Sequence, residues 1–228
     1  MKLFIATPAY DGKVFAQYAI ALAETMLFLA GNQIQCQLHI PTGGSLLVAE
    51  RNRILMEFMK SDCTHLLCVD ADLGWPAQAV LAMLKHDVEF VAGVYPARGE
   101  KSFIFRAKLK EDESIIKNEN GLLAMQYIPA GFMLLKKSAI KKMMDFHDDL
   151  YYEPKAETLK HLNGWCLFDT GVWEGEFWGE DYFFCRKARE AGIDIWVDPL
   201  IEFDHAGLRG QLLSVLTGEK PEIKNDGS

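Results

Sequence analysis

Short apolar runs alternate with longer segments of mixed polarity along the first part of the chain. The runs at 2–7, 34–40, 64–69 and 89–95 predict strands, and the segments at 14–30, 46–60 and 76–86 have the length and composition of helices. The run at 64–69 is nearly continuous, which is typical of a strand buried on both faces of a parallel sheet. This alternation predicts an α/β, Rossmann-like fold with a mixed, mainly parallel central sheet flanked by helices.

The pattern changes after Pro96. Segments 102–109 and 122–128 predict strands of a hairpin or meander, separated by a charged surface loop at 110–120, and 132–135 predicts a further strand. A helix is predicted at 138–145, irregular aromatic-rich structure at 146–179, a helix at 179–191 and a strand at 194–197. We therefore expect one domain over 1–228, with a Rossmann-like half at 1–98, a second half with a small antiparallel sheet at 99–218, and a frayed tail at 219–228.

Composition narrows the classes of partner. The chain has 228 residues, half of them hydrophobic and a quarter charged, as in soluble globular proteins. Its net charge of −8 argues against nucleic acid and gives no general attraction to anionic membranes. We expect no membrane span and no signal peptide, because no apolar run is long enough. The five cysteines are an odd number without CxxC spacing, which favours reduced thiols and a cytoplasmic location.

Two carboxylates one residue apart, Asp70 and Asp72, end the buried strand and are followed by Gly74 and Pro76. Ligands of open α/β sheets bind outside the carboxyl ends of the strands. Because close carboxylates repel each other, a hard divalent cation that also holds phosphate would neutralise this pair. The alternative is a pair of solvated turn aspartates. The position at the end of a buried strand favours the binding site.

Arg51 falls on the apolar stripe of the helix predicted at 46–60. A charge on a buried face needs a partner. Either Arg51 is structural, at the helix edge or in an ion pair, or its guanidinium points at a diphosphate or at one of the strand-end aspartates. The sequence leaves these alternatives open.

Glu180 and Asp181 begin the helix predicted at 179–191. Acidic residues there can simply complement the helix dipole. Asp181, however, shares the inward face of the helix, close to the aromatic residues Trp173, Phe177 and Trp178, and could act as a base toward a hydroxyl. Those aromatic residues could stack on sugars or fill the core.

Two further segments follow predicted strands. His205 could complete a carboxylate metal shell for manganese, although a lone histidine is usually a surface or hydrogen-bonded residue. The segment Thr7-Pro8-Ala9-Tyr10 could stack a nucleobase on Tyr10, or could be an ordinary strand-to-helix turn.

In their order along the chain, these motifs resemble those of GT-A fold glycosyltransferases over residues 1–207. The motifs are Asp70-Ala71-Asp72, the segment from Tyr127 to Leu135, Gly179-Glu180-Asp181 and the late His205. The resemblance implies a nucleotide-sugar donor, UDP- or GDP-linked, bound through Mn²⁺ or Mg²⁺, and a glycan or other hydroxyl acceptor. It also implies a nucleotide-sugar-binding half at 1–98 and an acceptor-side half at 99–218.

The resemblance assigns roles residue by residue. Asp70 and Asp72, on either side of Ala71, match the pair that contacts ribose and metal, and His205 matches the C-terminal metal ligand. Asp181 matches the base of inverting members, with Glu180 as the next candidate. Donor-binding roles are implied for Thr7, Pro8, Tyr10, Arg51 and Gly131, the last as a small residue that admits the donor sugar.

Three questions stay open at this level. A retaining enzyme would share the same motifs, so the stereochemistry is not determined. A sugar nucleotidyltransferase is the nearest rival, although the glycine-rich phosphate loop expected after the first strand is replaced by Thr7-Pro8-Ala9-Tyr10. A non-catalytic nucleotide-sugar or glycan-binding module on the same fold is the third possibility. The sequence does not indicate the oligomeric state.

Overall fold

A computed structural model describes residues 1–97, 102–205 and 208–217. The helices are α1 (Ala16–Gly31), α2 (Leu47–Lys60), α3 (Ala77–Lys85), α4 (Lys137–Phe146), α5 (Glu180–Glu190) and α6 (Leu212–Leu216). The strands are β1 (Lys2–Ala6), β2 (Gln35–His39), β3 (His65–Val69), β4 (Leu73–Gly74), β5 (Phe90–Ala92), β6 (Arg106–Ala107), β7 (Leu123–Tyr127), β8 (Phe132–Lys136), β9 (Tyr151–Tyr152), β10 (Gly164–Trp165), β11 (Gly171–Trp173), β12 (Glu176–Trp178), β13 (Ile195–Val197), β14 (Glu202–His205) and β15 (Leu208–Gln211). Two 3₁₀ segments cover Asp148–Leu150 and Glu157–Leu162.

The central sheet has eight strands within the described ranges, in the order β2-β1-β3-β8-β5-β13-β7-β6. The pairings β1–β2, β1–β3 and β5–β13 are parallel, whereas β8 and β7 run antiparallel to their neighbours. Six of these eight strands therefore point in one direction. This confirms the predicted α/β fold with a mixed, mainly parallel sheet. Strands from both halves of the chain belong to this one sheet.

Hydrophobic clusters lie on both faces of the sheet. One cluster joins α2, α4 and α5 to alternate residues of β3, such as Leu66 and Cys68. The other joins α1 and α3 to the intervening residues Leu67 and Val69. The strand β3 is therefore buried on both faces, as its continuous apolar run predicts. The result is a helix–sheet–helix arrangement in which the strand ends reach one edge.

Several predicted elements differ from the structure. The strand predicted at 102–109 is reduced to β6 and isolated bridges, although its antiparallel pairing with β7 is confirmed. The segment 146–179 contains two short antiparallel pairs, β9–β10 and β11–β12. A three-stranded sheet of β15, β14 and β4 was not predicted. These elements are short. β14 pairs with the distant β4, whereas β11 and β12 form a local hairpin through Glu174 and Gly175, which both have positive φ. The predicted boundary after residue 98 and the tail at 219–228 lie outside the described residues.

No described helix combines the length and apolarity that crossing a membrane requires. Cys63, Cys68 and Cys185 are buried, Cys36 and Cys166 are partly buried, and all five are free thiols, as expected.

Candidate active site

The predicted donor-binding segments meet at the carboxyl edge of the sheet. The loops after β1 and β3 line one cleft of about 310 Å³. Five of the residues with a predicted role line it, together with Ala9 of the predicted segment Thr7-Pro8-Ala9-Tyr10. The sequence had not indicated the other four, Asp11, Lys13, Phe15 and Leu47. The predicted five are Pro8, Tyr10, Asp70, Ala71 and Asp72. Tyr10 is 67% exposed here, so its ring is available to a ligand.

Backbone hydrogen bonds fix the loop from Asp70 to Asp72. The amide of Asp70 donates to the carbonyl of Gly131 at 2.9 Å, and the amide of Phe15 donates to the carbonyl of Ala71 at 2.9 Å. The side chain of Gln17 donates to the carbonyl of Asp72 at 3.2 Å. The loop is therefore attached to the start of β8 on one side and to the start of α1 on the other.

Arg51 is buried and joins three segments of the site. Its Nη2 donates to Oδ1 of Asp70 at 2.9 Å, and its Nη1 donates to the carbonyl of Ala130 at 3.3 Å. Its Nε lies 3.4 Å from Oε1 of Glu180, without the alignment of a hydrogen bond. Burial disfavours the charge, but the nearby Asp70 and Glu180 carboxylates raise the pKa of Arg51 above its ordinary value. Of the alternatives that the sequence left open, the structure shows an ion pair with the strand-end Asp70, and the buried Arg51 does not extend to the helix edge.

Gly131 lies where a larger residue would not fit. A Cβ at this position would lie 2.7 Å from Cζ of Tyr95 and would also collide with Oδ2 of Asp70. The Gly131 amide donates to the hydroxyl of Tyr95 at 3.0 Å. A glycine is therefore required by the close approach of Tyr95 and Asp70, a packing reason that the sequence did not provide.

Asp72 and His205 meet because β14 pairs with β4. His205 lies opposite Leu73 in the register, next to Asp72. Nε2 of His205 lies 3.2 Å from Oδ2 of Asp72, and Nδ1 lies 2.6 Å from the carbonyl oxygen of Pro96. A carbonyl accepts hydrogen bonds, so Nδ1 carries a proton and donates. Histidines that bind metal through Nε2 usually have such a carbonyl or carboxylate partner for Nδ1.

The three predicted metal ligands do not form one cluster. Asp72 meets His205, whereas Asp70 faces Arg51. Among the residues that the structure describes, no three or more His, Cys, Asp or Glu side chains are arranged to hold a metal ion. The Asp72–His205 pair nevertheless fits the chemistry of Mn²⁺, which accepts mixed oxygen and nitrogen ligands. Two protein ligands would leave positions for the oxygens of a diphosphate.

Asp181 lies in the first turn of α5, the helix whose inward residues Phe184, Cys185 and Ala188 are fully buried. The amide of Tyr182 donates to Oδ1 of Asp181 at 2.8 Å. Burial, and then the charge of neighbouring Glu180, raise the pKa of Asp181 to about 6. A carboxylate with such a pKa is suited to take a proton near neutral pH.

Other predicted residues have different surroundings. The Thr7 side chain is fully buried and lies 2.6 Å from the hydroxyl of Tyr18, so it does not line the cleft. Trp178 is also buried and packs edge-on against Tyr127, which makes it a core residue. Trp173 packs on the guanidinium of Arg186 at 3.9 Å, whereas the Phe177 ring is exposed.

Tyr95 is a site residue that the sequence motifs did not indicate. This residue follows β5 and is buried between Gly131 and His205, whose ring lies 5.1 Å away. Burial, followed by the charge of Asp70, raises its pKa well above the ordinary tyrosine value, so the hydroxyl stays protonated. Its position at the carboxyl end of the strand predicted at 89–95, at the same edge of the sheet as Asp70, was the available signal.

Comparison with known structures defines the class of this fold. A197 from STIV is similar with a TM-score of 0.54 at 16% identity, covering 100% of this chain and 96% of that one. GalNAc-T7, in a structure with UDP, GalNAc and Mn²⁺, is similar with a TM-score of 0.51 at 8% identity, covering 90% of this chain and 43% of that one. Family models and curated proteins give no match. The chain therefore has the GT-A-type glycosyltransferase fold.

Proposed function

We propose that this protein is a metal-dependent glycosyltransferase that moves a sugar from a nucleoside-diphosphate sugar to a hydroxyl acceptor. The observation that carries the proposal is that one sheet edge brings Asp72 and His205 together beside a cleft lined by Tyr10 and Asp70. The GT-A fold supports it, and so does the similar GalNAc-T7 structure, which contains UDP and Mn²⁺.

Donor binding is assigned to the cleft of about 310 Å³. The exposed ring of Tyr10 would stack on the nucleobase, and Asp70 would accept hydrogen bonds from the ribose. Lys13 lines the same cleft and supplies a positive charge for the phosphates. Asp72 and His205 would hold the divalent cation, which neutralises negative charge on the leaving nucleoside diphosphate.

Proton transfer is assigned to Asp181. The acceptor hydroxyl loses a proton as it attacks the anomeric carbon, and Asp181, with its pKa of about 6, is ionised at neutral pH and takes that proton. The ionised carboxylate also stabilises the positive charge that develops on the sugar. A base that faces the anomeric carbon opposite the leaving group produces inversion, so we propose an inverting reaction.

Arg51 is assigned a positioning role. Its guanidinium links Asp70 at the donor end of the site to Glu180, the neighbour of Asp181. A buried guanidinium that contacts both carboxylates fixes the distance between the Asp70 loop and the start of α5. Arg51 therefore sets the geometry in which donor and base face each other.

The test is a product analysis with UDP- and GDP-linked sugars and Mn²⁺, with and without candidate glycan acceptors. We expect release of nucleoside diphosphate, slow without acceptor and faster with the right one, and a product whose anomeric configuration is inverted. Pyrophosphate exchange with a sugar phosphate and nucleoside triphosphate would identify a nucleotidyltransferase instead. Binding of the donor without release of nucleoside diphosphate would identify a binding module.

A further inference from the structure

The outer face of α1 is apolar and largely exposed, and at Ile20 and Glu24 it borders a cleft that Trp75 and Arg209 also line. Tyr18, Ala21, Leu22, Thr25 and Leu29 form the buried face of this helix. On the opposite side Leu27 is 76% exposed and Ile20 is 60% exposed. Glu24 is the single charged residue within Ala16–Gly31. Contiguous exposed apolar surface on a helix marks an interaction site.

The exposed residues form a regular seam. Ile20 and Leu27 are seven residues apart. Three exposed alanines lie either three residues after or four residues before one of these two side chains. With Ile20 and Leu27 at position a of a heptad, the alanines fall at position d. They are Ala16, Ala23 and Ala30, and all of them are exposed. Residues at a and d are those that pack against a second helix.

We propose that α1 is a dimerisation helix, which packs antiparallel against α1 of a second copy of this chain around a two-fold axis. This contact is separate from the site of the proposed function. In the antiparallel arrangement each a position faces a d position. Leu27 then faces Ala16 of the second copy, and Ile20 faces Ala23 of the second copy. A large side chain meets a small one in each of the four layers between Ala16 and Leu27, so the helices approach closely there, and Ala30 lies beyond these layers.

A parallel arrangement lacks this complementarity. It would set Leu27 against Leu27 and Ala23 against Ala23, holding the helices apart in one layer and leaving a void in the next. The antiparallel arrangement is also isologous, as a closed two-fold dimer requires. The alternation of large and small side chains along the seam therefore favours a second copy of α1 as the partner, in the antiparallel direction.

Charge supports the same occupant. Glu24 flanks the seam, and the antiparallel register places it beside the uncharged Gln17 of the second copy rather than beside another carboxylate. No like charges face each other along α1. A helix that lies on an anionic membrane carries lysine or arginine on its polar side, and α1 has neither.

The first test measures mass in solution for the full chain by sedimentation over a concentration series. We expect a dimer of twice 25.8 kDa for the parent protein. Leu27→Glu should raise the dissociation constant at least about a hundredfold, because each dimer buries two copies of this leucine. The matched control is Leu109→Glu, since Leu109 is 52% exposed and follows β6, at the opposite edge of the central sheet from β2, which α1 contacts. A parent protein that stays monomeric, or a dimer that tolerates Leu27→Glu, overturns the proposal.

The second test addresses the register. Ile20→Glu and Ala23→Lys should each weaken the dimer, whereas the double variant should restore it, because positions 20 and 23 face each other across the axis with opposite charge. In a parallel pair the double variant would set like charges against each other and remain monomeric, which overturns the antiparallel assignment. Thermal melts of each variant show whether the monomer remains folded. If the parent protein is monomeric and binds phosphatidylcholine–phosphatidylglycerol vesicles, the exposed face of α1 contacts a membrane and the dimer proposal is wrong.

Discussion

Nη2 of Arg51 lies 2.9 Å from Oδ1 of Asp70, although Arg51 is on α2 and Asp70 follows β3. The Arg51 side chain is 3% exposed and that of Asp70 is 30% exposed, so the guanidinium is buried while the carboxylate borders the cleft. Buried pairs are costly to break from one side, because the remaining charge loses its partner. The pair therefore connects the stability of the core to the geometry of the cleft.

Arg51→Met keeps an unbranched side chain of similar length and removes the guanidinium. We expect a loss of stability of about 1.5–3 kcal/mol, the usual worth of hydrogen bonds to charged groups. Donor affinity should fall with it, because Asp70 loses its orientation. Chemical denaturation and calorimetric titration with nucleoside diphosphate measure the two effects. Arg51→Lys is the matched control, which keeps the positive charge but loses the planar guanidinium. If Arg51→Met binds donor as tightly as the parent protein, Arg51 is a purely structural residue.

His205→Ala and Asp72→Asn should each abolish the effect of Mn²⁺ on donor binding, because the two side chains meet at 3.2 Å. Titrations with nucleoside diphosphate, with and without Mn²⁺, provide the measurement. Asp204→Asn is a neighbouring control on β14. If either site variant keeps the full manganese dependence, the metal is held elsewhere.

Asp181→Asn separates chemistry from helix stabilisation. Asparagine keeps an oxygen for the amide of Tyr182 but cannot take a proton, so transfer should fall about 10²–10⁴-fold. Donor affinity should stay near that of the parent protein, since the donor contacts lie on other elements.

The same variant makes a prediction about thermal stability. The folded pKa of Asp181 is about 6, above the ordinary value of 3.8, so the folded protein is disfavoured by ionisation of this carboxyl. This cost is absent below pH 4 and complete above pH 6. Asp181→Asn should therefore raise the melting temperature at pH 8 and leave it unchanged at pH 3.5. A lower melting temperature at pH 8 would mean that Asp181 acts mainly on the helix dipole.

The pH dependence of turnover follows from the same group. Since the base acts in its ionised form, kcat/KM should fall about tenfold per pH unit below pH 6. After burial, the charge of Glu180 is the next cause that raises the pKa of Asp181, so Glu180→Gln should move the midpoint to lower pH. An unmoved midpoint would show that another group controls the profile. Donor affinity measured at each pH separates this effect from metal and phosphate titration.

Gly131→Ala should destabilise the protein by about 1–3 kcal/mol, the usual cost of overpacking, because the new methyl group collides with the Tyr95 hydroxyl. The double variant with Tyr95→Phe removes that oxygen and should recover part of the loss. Denaturation curves of the three variants measure the coupling. Full stability of Gly131→Ala alone would show that the close approach can relax.

Local pattern determined the architecture of this protein and the segments that form its candidate site. The continuous apolar run that ends in Asp70 and Asp72 fixes a buried strand and two carboxylates at its carboxyl end. The apolar stripe of α2 required a partner for Arg51, and the structure provides Asp70. These inferences succeed because periodicity and the cost of burying a charge act along a single element.

Only the tertiary structure decided which side chains meet. The pairing of β14 with β4 brings His205 to Asp72. The side chain of Asp70 instead forms an ion pair with Arg51. The position of Tyr95, the buried side chain of Thr7 and the collision beside Gly131 likewise depend on neighbours distant in sequence. The exposed seam of α1 is also a tertiary result, because the composition of this helix does not show which of its apolar residues face the sheet. Strand register and long-range packing set these contacts, and neither is encoded in the spacing of residues along one segment.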